Sequence, residues 1–187
     1  MKRILFTALA VAFISGSAHA LYLVPKFVAD YHTNVYWSNG LKEENRAGLG
    51  IGLDLRGEFS KYFGWGLGAQ YNFPRGWVHK DGKNTKFSMS PIYASLFFYP
   101  LETFLDVHPY LRGNIGYSVL STNQLGDSVK GGLYYGGGLG FEYRKVIFEF
   151  IAASYKQKFD YIGPPAQNSI EAEYKTFSFY FGYRFSL

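Results

Sequence analysis

The sequence predicts an all-β protein: an eight-stranded antiparallel up-and-down transmembrane β-barrel preceded by a cleavable signal peptide. Three observations predict this fold class. Apolar and polar residues alternate along most of the chain, which is the period of a β-strand with one apolar face. Phe, Tyr and Trp make up 20% of the 187 residues, and 22 residues are glycine. No stretch after residue 20 approaches the roughly 18 apolar residues that a membrane-spanning helix needs.

Residues 1–20 have the three parts of a secretory signal peptide. Lys2-Arg3 is the charged start, 4–14 is the apolar stretch, and 18–20 (Ala-His-Ala) is the small-residue cleavage site. We therefore predict a signal peptide followed by one outer-membrane β-barrel domain over 21–187. A short membrane anchor is the alternative. The chain contains no cysteine, so neither lipid modification of cysteine nor disulfide bonding is available to the exported protein.

Eight alternating segments follow, separated by polar breaks rich in Gly, Pro and Asn. We predict strands over residues 22–36, 45–58, 62–74, 86–99, 109–121, 132–144, 146–157 and 170–187. The breaks at Ser60-Lys61 and Arg144-Lys145 are short, and a somewhat longer one covers 100–108. Long breaks lie between them, so short and long turns alternate as in a meander of hairpins. An even strand number places both termini and the short turns on the periplasmic side.

The alternation assigns most side chains to one of two faces. Every second residue of the last strand is aromatic or apolar: Phe177, Phe179, Phe181, Tyr183, Phe185 and Leu187. The same rule places Tyr31 and Val35 of the first strand on the apolar face. The fourth and seventh strands alternate poorly. In the fourth, Pro91 predicts a bulge or an off-register start, because proline donates no ladder hydrogen bond.

Two architectures share this pattern. A soluble barrel points its apolar face inward, whereas a membrane barrel points it toward lipid. The interior of an eight-stranded barrel is just wide enough for ordinary side chains or one small ligand, so the aromatic residues of six clear strands would overfill it. Glycines on the opposite face gain nothing on a solvated strand but make room inside a narrow lumen. The sequence therefore predicts that the aromatic face contacts lipid.

The end of the chain resembles the C-terminal assembly signal of bacterial outer-membrane proteins. That signal is a polar residue followed by Gly and two spaced aromatic or apolar positions, here Tyr180, Gly182, Phe185 and Leu187. Tyr at the polar position and Leu at the end depart from the family pattern, whose last residue is usually Phe or Trp. The resemblance implies recognition by the outer-membrane assembly machinery.

The mature chain as a whole resembles the small eight-stranded OmpA/OmpX- and opacity-type barrels of the porin-like superfamily. This resemblance implies an outer-membrane location in a Gram-negative bacterium. Small members of that superfamily are mostly anchors, adhesins or structural proteins, with a minority of narrow channels and lipid-modifying enzymes. Fold alone does not choose among these roles.

Charged residues on the predicted inner face form the main candidate site. They are Asp30, His32, Asp54, Arg56, Arg112, Glu142, Arg144, Glu149 and Arg184. Charges in a narrow lumen must pair or keep water, because an isolated buried charge is very costly. We predict a network of salt bridges that plugs the barrel. A narrow path for ions or small solutes beside the ion pairs, and a cavity for a small ligand, are the alternatives.

The second long break carries a basic and aromatic patch. Its residues are Arg75, Trp77, Lys80, Lys83 and Lys86. At the outer rim of the barrel these side chains are candidates for contact with lipopolysaccharide phosphates, with Trp77 in the membrane interface. An ordinary solvated loop is the alternative explanation.

We expect a monomer without catalytic residues, metal or cofactor, serving a structural or surface-interaction role in contact with outer-membrane lipid. No histidine pairs with a second histidine or a carboxylate at metal-ligand spacing. His32 and Ser38 lie near the first loop, but their surroundings do not resemble those of lipid-modifying enzymes, which keeps that function third after a narrow pore. The formal net charge of +5, which falls by two when Lys2 and Arg3 leave with the signal, does not indicate nucleic-acid binding.

Overall fold

The computed structural model describes residues 21–38, 40, 42–45, 47–78, 84–100, 106–122, 128–160 and 169–187. The predicted signal peptide lies outside the described residues. Within them the strands are β1 (Leu21–Trp37), β2 (Lys42–Asn45), β3 (Gly48–Glu58), β4 (Phe63–Asn72), β5 (Arg75–Val78), β6 (Asn84–Phe98), β7 (Val107–Thr122), β8 (Ser128–Lys130), β9 (Gly132–Tyr143), β10 (Val146–Asp160), β11 (Ser169–Tyr183) and β12 (Phe185–Ser186). In this part of the chain, no helix has the length and apolar character needed to cross a membrane.

Eight long strands form a closed antiparallel barrel. Their order around the barrel is β1, β3, β4, β6, β7, β9, β10 and β11, so each strand pairs with its nearest long neighbour in sequence. The barrel closes where β11 pairs with β1, for example through Phe27 and Phe181. The predicted eight-stranded up-and-down barrel is therefore confirmed.

Four short strands extend this barrel. β2 pairs with the end of β1, β5 with the start of β6, and β8 with the end of β10. The sequence prediction treated these three segments as loops. Each has only three or four residues, so alternation is too brief to reveal a strand. β12 continues the chain beyond β11 and pairs with the start of β1.

The two faces of the wall differ as the alternation predicts. On β11, Phe177 is 62% exposed and Phe179 is 45% exposed, while Ser178 between them is only 4% exposed. On β3, Leu53 is likewise exposed and its neighbour Asp54 is buried. Aromatic and aliphatic side chains thus cover the outside of the barrel, as lipid contact requires. Polar and glycine residues line the inside.

A bulge in β1 reverses the predicted faces of its outer end. The pairing with β11 shifts between Asp30 and His32, which leaves Tyr31 as the extra residue. Because a one-residue slip sends later side chains to the opposite face, Val35 is buried inside the barrel and Tyr36 faces outward. The prediction that Val35 lies on the lipid face is wrong for this reason.

The two strands with weak sequence patterns have clear faces in the structure. Tyr93 of β6 and Glu149 of β10 point inward, whereas Ile92 and Phe150 are exposed. A register change also occurs near Pro91. β4 pairs with β6 up to Ala69 and Ile92, and β5 resumes the pairing at Arg75 and Phe87 with one additional residue on its side. The additional residue lies on the β4–β5 side, opposite the segment that contains Pro91, while the pairing of β6 with β7 runs through Pro91 without a shift.

Candidate functional site in the lumen

Five charged side chains form a compact network in the middle of the lumen, which we call the charge layer. Each is at most 4% exposed: Lys26, Asp54, Arg56, Arg112 and Glu149. They come from β1, β3, β7 and β10, and those strands place them at similar heights. Three cations and two anions give the layer one excess positive charge.

Apolar residues cover the charge layer on both sides. On β1 the successive inward residues are Val24, Lys26 and Val28, and β10 repeats the order apolar, charged, apolar around Glu149. Val24 belongs to a cluster near the short turns that also contains Tyr22, Phe97, Tyr110 and Ile147. Val28 belongs to a larger cluster toward the long hairpins. The charges are therefore enclosed between two apolar layers.

Asp54 accepts hydrogen bonds from three side chains and forms an ion pair with a fourth. Lys26 Nζ lies 2.9 Å from Oδ2, and Arg56 Nη2 donates to the same oxygen at 2.8 Å. Arg112 Nη1 is 3.0 Å away. The Tyr93 hydroxyl donates to Oδ1 at 2.8 Å while accepting from Lys26 Nζ at 2.7 Å. This carboxylate is held by one cation from its own strand and by cations from β1 and β7, so it cannot move without breaking several bonds.

Glu149 is the second anion of the layer. Arg112 Nη1 lies 2.7 Å from Oε2, and Arg56 Nη2 donates to Oε1 at 2.8 Å. The Tyr110 hydroxyl also donates to Oε1 at 2.8 Å. Both arginines therefore bridge the two carboxylates. Charge-assisted bonds of this kind offset the cost of removing the groups from water.

Aromatic rings and neutral side chains complete the network. The Arg56 guanidinium lies 4.7 Å from the centre of the Phe97 ring, and Lys26 Nζ lies 4.7 Å from that of Tyr180. Arg112 donates through Nε to Asn114 at 2.7 Å and through Nη2 to Ser95 at 3.0 Å. These contacts fill the space around the ion pairs with side-chain atoms.

Glycines on strands adjacent to those of the charge layer leave room for its side chains. A Cβ at Gly68 would lie 2.3 Å from Asp54 Oδ1 and 2.4 Å from a ring carbon of Tyr93. At Gly140, a Cβ would come within 2.5 Å of the Tyr110 ring. Both glycines are required because a larger residue would displace a member of the network or its partner.

A second buried ion pair lies closer to the long hairpins. The Arg75 guanidinium contacts Asp30, and the Ser178 hydroxyl donates to the other Asp30 oxygen at 2.6 Å. Arg75 is 5% exposed and fills the space beside Gly48. The prediction that Arg75 faces lipopolysaccharide at the surface is therefore wrong. The β5 extension turns this residue into the lumen.

At the opposite end, Arg184 and Glu142 form an ion pair at the rim. Arg184 Nη1 donates to Glu142 Oε1 at 3.1 Å, and both side chains retain some exposure. The guanidinium lies 4.1 Å from the centre of the Tyr22 ring. These two predicted lumen residues are therefore adjacent to the apolar cluster near the short turns, separate from the charge layer.

Arg144 does not lie in the lumen, contrary to the prediction. It occupies the turn between β9 and β10 with φ of 58°. Its side chain is 71% exposed and lies 4.0 Å from Asp106. The strand ends one residue earlier than predicted, so the inward alternation stops at Glu142. For His32, only the backbone is described, and its predicted lumen position lies outside the described side chains.

The candidates for lipopolysaccharide contact and the C-terminal signal residues are only partly among the described residues. Among the candidates for lipopolysaccharide contact, Lys80 and Lys83 lie outside the described residues, as do the side chains of Trp77 and Lys86. In the C-terminal signal, Tyr180 and Gly182 face inward, and Phe185 and Leu187 are exposed. The Tyr180 hydroxyl donates to Gln70 Oε1 at 3.1 Å inside the barrel.

Two lumen charges were missed in the sequence-based site. Lys26 lies on the predicted inner face of the first strand, and its positive charge on that face was the available signal. Arg75 had no such signal, because a register change precedes it. Within the described residues, no group of three or more His, Cys, Asp or Glu side chains could hold a metal ion.

No protein-family model matches the chain, and no curated protein matches it. Solved structures do. The chain is similar to Neisserial surface protein A, with a TM-score of 0.58, 18% identity, and coverage of 88% of this chain and 97% of that one. It is also similar to the outer membrane protein OprG from Pseudomonas aeruginosa, with a TM-score of 0.56, 15% identity, and coverage of 90% and 97%.

A third similar structure is Ail, the attachment invasion locus protein of Yersinia pestis, in complex with the heparin analogue sucrose octasulfate. Its TM-score is 0.50 at 17% identity, with coverage of 89% of this chain and 99% of that one. At 15–18% identity, these three similarities show the fold. The chain has the fold of the small eight-stranded outer-membrane β-barrels.

Proposed function

We propose that this protein is a sealed outer-membrane barrel that serves the envelope through its surface, with a structural or surface-interaction role and no catalysis. The observation that carries the proposal is the charge layer. Its five members are buried, joined by short charge-assisted bonds and enclosed by apolar residues on both sides. A solute would have to break these bonds to pass.

The free-energy cost of separating the buried ion pairs favours a sealed lumen over a narrow pore. Removing one partner of a buried ion pair leaves an uncompensated charge and costs about 3–5 kcal/mol. Here each carboxylate has at least two cationic partners, so transient opening would cost at least a comparable amount. A narrow pore is the second candidate, and the excess positive charge of the layer would make it prefer anions.

The proposed partners follow from the surface. The exposed aromatic face would contact outer-membrane lipid, and residues at the outer rim would contact lipopolysaccharide. Phe185 and Leu187, which are 51% and 70% exposed, would be available to the assembly machinery. The closed pairing of β11 with β1 leaves no long strand edge for another copy, which favours a monomer.

Single-channel conductance of the refolded barrel in planar bilayers tests the plug. The informative variant removes one cation and one anion together, Arg112→Ser with Glu149→Ser, which leaves the net charge of the lumen unchanged. The matched control removes the rim pair, Arg184→Ser with Glu142→Ser. We expect no resolved openings from the wild type or the rim variant, and small openings from the charge-layer variant because water replaces the lost side chains.

Steady openings of the wild-type barrel would contradict the plug and favour the pore. In that case, a change of conductance or ion selectivity in the charge-layer variant, but not in the rim variant, would place the conducting path beside Glu149. Folding of each variant is checked by its electrophoretic shift on heating and by its β-sheet circular dichroism.

A further inference from the structure

A cleft of about 570 Å³ lies at the end of the barrel that carries the long hairpins. It is formed by the ends of β1, β9, β10 and β11. The lining residues that matter here are Trp37, Leu133, Lys156, Gln157, Glu171 and Glu173. Gln157 is eight residues from Glu149 along β10, or about 26 Å at 3.3 Å per residue, so the cleft is separate from the charge layer.

The cleft arises from an irregularity in the barrel wall. β10 pairs with β9 as far as Tyr155 and Tyr134, and with β8 from Lys158 and Lys130 onward. Between these points, three residues of one strand face two of the other, as in a β-bulge. A Cβ at Gly132 would lie 1.5 Å from the Lys156 carbonyl oxygen, so only glycine fits there.

Gln157 is the feature that indicates a ligand. The residue borders the cleft, and its side chain is only 1% exposed, so a ligand reaches the amide when the side chain turns into the cleft. Among the described residues, neither the amide nitrogen nor the amide oxygen has a hydrogen-bond partner. Buried polar groups are normally paired, because an unpaired one costs about 1–3 kcal/mol. A ligand that both donates and accepts hydrogen bonds would satisfy the amide.

The other lining residues limit the chemistry of that ligand. Trp37 and Leu133 supply apolar surface, whereas Lys156, Glu171 and Glu173 supply charged hydrogen-bonding groups. Lys175 Nζ lies 3.6 Å from Glu173 Oε2, so two lysines balance the two carboxylates and the cleft is close to neutral. Glu173 is held in place by Ser154, whose hydroxyl donates to Oε1 at 2.7 Å, and by Tyr135 at 3.0 Å. The combination suits a neutral molecule with hydroxyl groups and small apolar faces.

We propose that this cleft binds a neutral saccharide or an amino sugar at the outer surface of the membrane. A pyranose ring presents C–H faces to apolar side chains and hydroxyls that both donate and accept, which an acyl chain cannot do. The cleft volume falls within the range of small-molecule sites. This inference rests on the proposed surface role but not on the sealed lumen, so a conducting barrel would leave it intact.

The NMR signals of the Gln157 side-chain amide report directly on ligand binding in the cleft. The full chain, labelled with ¹⁵N-glutamine and refolded in phospholipid nanodiscs, is titrated with chitotriose, a neutral oligosaccharide. We expect a saturable shift of the Gln157 amide signals, identified by their loss in Gln157→Asn. The amide of Gln70 is the matched control, because it lies in the lumen and donates to Asn72 at 2.6 Å. Its signals stay in place.

Two sources of saccharide are distinguished by a second arm. If the cleft takes the sugars of lipopolysaccharide, nanodiscs containing lipopolysaccharide shift the Gln157 signals without added chitotriose, and added chitotriose has no further effect. If it takes a free or cell-surface glycan, lipopolysaccharide leaves them unchanged and chitotriose shifts them. In the second case, Gln157→Ala should weaken chitotriose binding about tenfold, as followed by Trp fluorescence, because two hydrogen bonds are lost.

Two results would overturn the proposal. One is the absence of any Gln157 shift with chitotriose and with lipopolysaccharide. The other is a shift with a sulfated oligosaccharide but none with chitotriose, which would mean that the site selects negative charge. Either result in a barrel that is silent in planar bilayers would remove the saccharide site and leave the proposed plug standing.

Discussion

Single glycines decide whether the charge layer fits inside the barrel. Gly68 lies between Asp54 and Tyr93 as the paired residue on the adjacent strand, at a distance that excludes even a methyl group. Gly113 provides the contrast, since it lies on the outer face and a Cβ there would meet nothing within 4 Å. Both glycines lie within long strands, but the space beside Gly68 is filled and the space beside Gly113 is open. The effect of a side chain at a glycine position therefore depends on the space available there.

Gly68→Ala should therefore destabilise the barrel by about 1–3 kcal/mol, because overpacking forces Asp54 or Tyr93 out of its hydrogen bonds. Gly113→Ala should change stability by no more than about 0.5 kcal/mol. Equilibrium unfolding in urea, with the protein inserted in lipid vesicles, measures both. Equal effects of the two substitutions would mean that the lumen at Gly68 is looser than the structure has it.

The sequence predicted individual residues well where alternation is unbroken. Asp54, Arg56, Arg112 and Glu149 lie inside the barrel, as their positions on alternating strands required. Arg144 was misplaced because a strand end is set by turn geometry, which composition locates only to within a few residues. The sequence could not single out Gln157, because its buried amide lacks a hydrogen-bond partner only as a result of how the strands around the bulge pack.

At the scale of strands, the phase of the alternation carries the information. β3, β4 and β11 keep one phase and match the predicted faces throughout. β1 changes phase at Tyr31, and the β4–β5 region changes phase near Pro91, so residues beyond each irregularity lie on unexpected faces. Pro91 lies opposite one of these changes. Nothing in the local sequence marked the other, because many residue types are tolerated at a bulge.

The orientation of β11 can be tested at two depths. Phe179 is exposed on the outer face and packs against Phe150, with ring centres 4.2 Å apart. Phe179→Arg should cost about 2–4 kcal/mol of folding free energy, because it places a charge near the middle of the bilayer. Phe185→Arg, close to the end of the chain, should cost at most about 1 kcal/mol, because interfacial positions tolerate charge.

Both free energies are measured by reversible unfolding in lipid vesicles. A cost for Phe179→Arg no greater than that for Phe185→Arg would contradict the lipid-facing assignment. It would also contradict the depth that the alternation gives to this part of β11.

At the scale of the whole molecule, three kinds of surface have three separate tasks. The outer aromatic face contacts lipid, and the charge layer between two apolar clusters is the plug that we propose. The cleft beside Gln157 lies at the end exposed to the surroundings. The barrel was predictable from periodicity and size, whereas the division of the lumen into layers required the alignment of strands around the barrel.

The absence of cysteine allows a direct test of the seal. Val24 pairs with Asp54 and lies one inward position beyond Lys26 toward the short turns, so in the predicted orientation a thiol at Val24→Cys is reached from outside only past Lys26 and the apolar cluster toward the long hairpins. The barrel is inserted in vesicles in one orientation, and an impermeant thiol reagent is added to the extracellular side. Ser38→Cys, at the extracellular end, serves as the reactive control, and Ser186→Cys, at the periplasmic end, shows that the reagent does not cross the membrane.

We predict that Val24→Cys stays unmodified from the extracellular side, as Ser186→Cys does. It should become reactive when Arg112→Ser and Glu149→Ser are introduced, because their loss opens a water path past the remaining charges. Modification of Val24→Cys in the otherwise wild-type barrel, at a rate near that of Ser38→Cys, would contradict the seal.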